Sequence, residues 1–159
     1  MRTADAGTSG TSGQIILSTG LATLGNSGAL HIGSGTAAAG RGGSISLTVG
    51  SGDSGMGGSV TITAGTSSAA SGGDVLITTG AGTATSSGSL VLRTPTAGTS
   101  GVSGYIVLSS GDATSGNTGG VYIGSGSAGN GRGGAVYLTV GYGTTGTGGE
   151  LVVKAGGSA

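Results

Sequence analysis

One glycine recurs through this chain at Gly13, Gly28, Gly43, Gly58, Gly73, Gly88, Gly104, Gly119, Gly134 and Gly149, every 15 residues apart from one 16-residue step after Gly88. With that glycine as position 1, position 3 reads Ile15, Leu30, Ile45, Val60, Val75, Leu90, Ile106, Val121, Val136 and Leu151. Position 5 reads Leu17, Ile32, Leu47, Ile62, Ile77, Leu92, Leu108, Ile123, Leu138 and Val153. Neither column is broken in ten copies. Two apolar residues at a spacing of two share one face of an extended segment. One such face cannot be buried by a single unit, so a fixed repeat of this kind points to stacked copies.

Two further columns frame the extended segment. Position 8 is Gly20, Gly35, Gly50, Gly65, Gly80, Pro95, Gly111, Gly126, Gly141 and Gly156, and position 10 is always small, from Ala22 to Ser158. Glycine reaches the backbone angles of tight corners, so positions 1 and 8 are expected to turn the chain. The pattern predicts an all-β fold, a single-stranded parallel β-solenoid (β-helix) of about ten 15-residue coils over 13–159, preceded by a polar N-terminal tail at 1–12. Positions 3 and 5 are the expected core ladders, facing the small residues of position 10. At about 4.8 Å per coil the rod would be roughly 45 to 50 Å long.

Composition sets the opposing expectation. The chain has 159 residues, of which 42 are glycine, with no Cys, Phe or Trp. Glycine loses the most backbone entropy on folding and buries no side chain, so such a chain reads as a linker or as disordered. Against that stand its scarce charge and its fixed Val, Ile and Leu positions. Collagen is excluded, since Pro95 is the one proline.

Five basic and five acidic residues cancel, which gives no steering toward nucleic acid or an anionic membrane surface. No apolar run is long enough for membrane insertion, and the first ten residues lack the apolar core of a signal peptide. Without cysteine no disulfide staples the fold and no redox compartment is implied.

A longer period overlies the short one. Residues 11–50 reappear, with variation, as 102–141, six repeats on, and both copies carry Gly-Arg-Gly-Gly around Arg41 and Arg132. Duplication within a repeat array explains this, and the array is expected to be a window on a longer one.

Position 4 faces away from the expected core. From the fifth repeat on it reads Leu76, Val91, Val107, Tyr122, Tyr137 and Val152. An apolar and aromatic row on an outer face marks a contact surface, or else stabilises the sheet by cross-strand pairing. These six are the candidate interface, with another copy of the chain as the expected partner. The last repeat ends without an atypical cap, so end-to-end stacking is expected as well. Glu150, Lys154 and Arg93 are the charges placed to resist it.

Catalytic vocabulary is thin, and no enzyme is expected. His31, the one histidine, sits at an outward position whose counterparts are mostly apolar or hydroxylic. The acids Asp5, Asp53, Asp74, Asp112 and Glu150 are dispersed, and Asp74 and Glu150, which share a column, are five coils apart. No Gly-x-Ser-x-Gly nucleophile elbow, phosphate loop or repeated calcium-binding Asp occurs. No cofactor and no metal are expected.

Residues 57–80, with their alternating Gly-Gly-Ser-Val-Thr-Ile-Thr-Ala-Gly units, resemble the Gly/Ser/Thr-rich tandem-repeat proteins of algae, oomycetes and some surface fibres. That resemblance implies a stalk, scaffold or filament at the cell surface or outside the cell, with no catalytic residues to carry over. A second resemblance is to β-solenoid antifreeze proteins, some built on 15-residue coils with Thr-x-Thr rows. Ser46 and Thr48, with Thr61 and Thr63, form the candidate ice face, and the row departs from the pattern at Leu76 and is broken by Val91 and Arg93. The leading expectation is a structural, non-catalytic solenoid that self-associates into a filament, stalk or extracellular scaffold. Ice binding is the alternative, and a carbohydrate-binding or adhesive surface the next.

Overall fold

Among the described residues, 2–157, neither helix nor strand is present. The structure, a computed structural model, divides into two units, Met1–Leu76 and Ile77–Ala159. In each unit extended segments alternate with bends, and the bends keep the period of the sequence. They fall at residues 8–10, 23–25, 38–40, 53–55 and 68–70 in the first unit, and at 83–85, 99–101, 114–116, 129–131 and 144–146 in the second.

The expected β-solenoid is therefore not what the chain forms, and the β-helix description falls with it. Stacked coils would be joined by backbone hydrogen bonds between residues one repeat apart. Two backbone–backbone hydrogen bonds occur among the described residues, and both are local: Gly73 N–H to Gly65 O and Gly88 N–H to Gly80 O, each 2.9 Å.

The repeat closes on itself instead. In all ten copies a methyl group built on the position-1 glycine would fall within 4 Å of the position-7 side chain of the preceding segment. The pairs run from Thr3 with Gly13 and Thr19 with Gly28 to Ser125 with Gly134 and Val140 with Gly149. Three of these closures carry a hydroxyl bond. Ser34 Oγ donates to Gly43 O at 2.7 Å, Ser125 Oγ to Gly134 O at 2.7 Å, and Thr94 Oγ1 to Gly104 O at 3.1 Å. At Gly13, Gly43, Gly58, Gly104, Gly134 and Gly149 the methyl would come closer than 3.4 Å, so glycine there makes room for its neighbour, while at Gly28, Gly73, Gly88 and Gly119 it would meet ordinary contact. At none of the ten does position 1 take positive φ.

The left-handed backbone lies elsewhere in the repeat. Gly10, Gly25, Gly55, Gly116 and Gly146, each the last residue of its bend, have φ between 80° and 118°, a region open to glycine and costly to other residues. Where the bend ends on Ala70, the Ser67 hydroxyl accepts the N–H groups of Ala69 and Ala70 at 3.3 and 3.0 Å. A serine turn closes this bend without a left-handed residue. The position-8 glycines have open space around them and no positive φ, and nothing in the structure explains their recurrence.

The expected core ladders are also corrected, for no described hydrophobic residue is buried. Ile15, Leu17, Leu30, Ile32, Ile45, Leu47, Val60, Ile62, Val75 and Ile77 are all exposed, as are Leu90, Leu92, Ile106, Leu108, Val121, Ile123, Val136, Leu138, Leu151 and Val153. The half-buried residues are small: Thr3, Ala6, Ala22, Ala64, Thr94 and Ala97. They occupy the closure at position 7 and the inner side of the bend at position 10. Ser158, the last of the position-10 column, lies outside the described residues.

Accessible area gives the scale of the difference. The chain exposes 15738 Å², where a folded monomer of this mass would expose about 6,800 Å² and a fully unfolded one about 21,000 Å². The physical reason lies in the composition: each repeat has two apolar side chains at its expected core columns, set against a backbone rich in glycine, the residue that loses the most conformational freedom on folding.

Candidate self-association surface

Each extended segment presents its apolar residues on both faces. In the ninth repeat Val136 is 49% exposed, Tyr137 86% and Leu138 65%. The same order, with position 3 shielded most and position 4 least, holds wherever position 4 is a large hydrophobic residue except in the last repeat, where Val153 is the most open of the three. Position 3 is the more shielded of the two core columns and position 5 the more open in every repeat. The alternation is physical as well as sequential, because side chains two apart meet. Ser46 and Thr48 bring their hydroxyls to 3.4 Å, and the Tyr122 ring lies along the backbone at Gly120, where an added methyl would sit 3.0 Å from Cε2.

The candidate interface residues Leu76, Val91, Val107, Tyr122, Tyr137 and Val152 are all exposed. Leu76 ends the first unit and the other five belong to the second. The four tyrosines Tyr105, Tyr122, Tyr137 and Tyr142 are between 86% and 96% exposed, and none makes a hydrogen bond among the described residues. Of the candidate ice face, Ser46 and Thr48 lie together in one segment and Thr61 and Thr63 in the next. Among the described residues no backbone hydrogen bond joins those two segments.

Charge is equally dispersed. Arg2 and Asp5 form the one ion pair among the described residues, at 2.8 Å with both side chains mostly in solvent, a contact that contributes little. His31, Arg41, Arg93, Arg132, Glu150 and Lys154 are exposed. Among the described residues there is no cavity and no cluster of three metal-ligating side chains. Among the described residues no helix is long and apolar enough to cross a membrane.

Three features of this surface escape a reading confined to positions 3, 5 and 8. Position 7, with Thr19, Ser34, Val49, Ala64 and their counterparts, supplies the closure, and its signal is its uniformly small or β-branched membership. The glycine that ends the bend recurs at Gly10, Gly25, Gly40, Gly55, Gly101, Gly116, Gly131 and Gly146, a column as regular as many that define the repeat. The duplication also reaches further back than residue 11. Residues 2–13 match 93–104 through Arg-Thr, Ala-Gly-Thr-Ser-Gly and Ser-Gly, and the Thr3 closure onto Gly13 repeats in Thr94 onto Gly104. No family model, curated protein or solved structure matches the chain.

Proposed function

We propose that this is a non-catalytic structural protein whose copies associate through their exposed apolar rows into a filament, stalk or extracellular scaffold. The observation that carries the reading is the exposure of the position-3 and position-5 pair in every repeat, so that apolar surface unburied within one chain is available to another. A second copy is the favoured occupant because it offers the same rows at the same spacing. With five basic and five acidic residues, no long-range repulsion opposes the approach. Repeated identical sites allow staggered pairing, and contacts that do not close into a ring grow into open filaments.

The test is negative-stain electron microscopy with sedimentation at micromolar concentration. Long particles of uniform width are expected, and a charge placed at Tyr137 (Tyr137→Asp) is expected to dissolve them. A chain that stays monomeric at these concentrations, or a variant that assembles as the parent does, contradicts the proposal. Ice binding has one local support, the Ser46 and Thr48 hydroxyl pair. Ice shaping by the monomer would favour it.

A further inference from the structure

The aromatic residues of this chain are distributed in a way that shape alone does not require. All four are tyrosine, with no Phe and no Trp, and all fall between residues 105 and 142. At the matching places of the earlier duplicate stand Gln14, His31, Ser46 and Ser51. The repeat closes equally well with either set, since Ser34 to Gly43 and Ser125 to Gly134 have the same geometry. The rings therefore serve neither the closure nor a core. If flat apolar contact were the whole requirement, phenylalanine would serve as well, yet each ring carries a hydroxyl. Each phenol also stands free in solvent.

From these observations we propose that Tyr105, Tyr122, Tyr137 and Tyr142 are oxidative cross-linking sites, joined ring to ring with tyrosines of other copies. The inference rests on the self-association reading, which brings copies together before the chemistry occurs. The chain has no cysteine and one lysine, Lys154, so the phenols are its main means of covalent linkage. The co-reactants are hydrogen peroxide and a haem peroxidase. One electron and the phenolic proton leave each of two tyrosines, and a carbon–carbon bond forms between ring positions ortho to the two oxygens. The hydrogen on each bonded carbon then moves to its own oxygen, which restores two phenols. The two electrons and two protons reduce one peroxide to two waters.

The ring at Tyr122 has a particular setting. It lies along the backbone at Gly120, where an added methyl would sit 3.0 Å from Cε2, so the absence of a side chain at Gly120 lets the ring approach the segment while it stays 96% exposed.

The test treats the full chain with a haem peroxidase and hydrogen peroxide after sedimentation has recorded its association without oxidant. Oligomers that survive denaturing electrophoresis, together with the blue fluorescence of the biphenol, are expected. Trypsin separates residues 94–132, with Tyr105 and Tyr122, from 133–154, with Tyr137 and Tyr142, so linked peptides identify the partners by mass. Replacing all four tyrosines by Phe keeps the rings and is expected to leave association intact while abolishing the covalent ladder. A wild-type chain that remains monomeric on denaturing gels, links confined within one chain, or an undiminished ladder in the Phe variant would each overturn the inference. Failure of self-association would show separately, in the sedimentation without oxidant.

Discussion

The Ser34 hydroxyl donates to the carbonyl of Gly43 at 2.7 Å, and six repeats later the Ser125 hydroxyl donates to the carbonyl of Gly134 at the same distance. The pairing is a property of the repeat, since the two copies lie in different units of the chain. An exposed neutral bond of this kind contributes about 0.5–1 kcal/mol net. Ser34→Ala is expected to lower the closed population of its repeat about two- to fivefold, read as backbone chemical shifts over residues 35–42 moving toward coil values, and Ser125→Ala to do the same over 126–133. NMR shifts of the two variants check this, with Thr19→Ala as the control, since Thr19 approaches Gly28 without a hydrogen bond.

Gly25 and Gly40 end successive bends, but Gly25 has φ +101° and Gly40 does not take positive φ. An L side chain in left-handed backbone costs about 1–2 kcal/mol. Gly25→Ala is expected to rearrange its bend, with altered couplings and shifts over residues 23–27. Gly40→Ala should leave its bend unchanged. The duplicate pair Gly116 and Gly131 should repeat the contrast.

A methyl group on Gly58 would lie 2.6 Å from Val49 Cγ1, and one on Gly149 would lie 2.8 Å from Val140 Cγ1. Gly58→Ala therefore forces Val49 off its rotamer or opens the closure, at about 0.5–1.5 kcal/mol. Adding Val49→Ala is expected to restore the closure, and a double-mutant cycle on the closed population, read from local backbone chemical shifts, measures the coupling. Gly50→Ala, in open space with no positive φ, is the neutral comparison.

Association driven by apolar burial carries its own signature. It is expected to weaken on cooling and to strengthen in sulfate, while sodium chloride at moderate concentration has little effect on a chain whose charges balance. Sedimentation across temperature and salt series reads both trends.

The period was fully legible in the sequence, and the bends at 23–25, 53–55, 114–116 and 144–146 keep it. What that period did not disclose was the partner of each repeat. A Val-x-Ile or Ile-x-Leu pair looks the same whether it packs on the next coil, on another chain or on nothing. The choice turns on a balance between two apolar residues per repeat and the entropy of a backbone rich in glycine, and periodicity is silent about that balance. Glycine misled in the same way. At position 1 it marks a close approach by residues such as Ser34 and Val49, and at Gly25 a left-handed turn, two causes with one signature in the sequence. The candidate interface was legible only as an outward apolar row. The concentration of all four tyrosines in one duplicate needed only the longer period to be followed through to residue 142.

The most direct measurement is amide hydrogen exchange on the intact chain, first diluted until sedimentation shows a monomer and then at the concentration where it associates. The diluted chain is expected to exchange rapidly throughout, and the extended segments, such as 60–63 and 136–139, are expected to become protected only on association. Strong protection of all ten segments in the monomer would contradict the account by revealing a core within one chain, and so would exchange that stays rapid at every concentration.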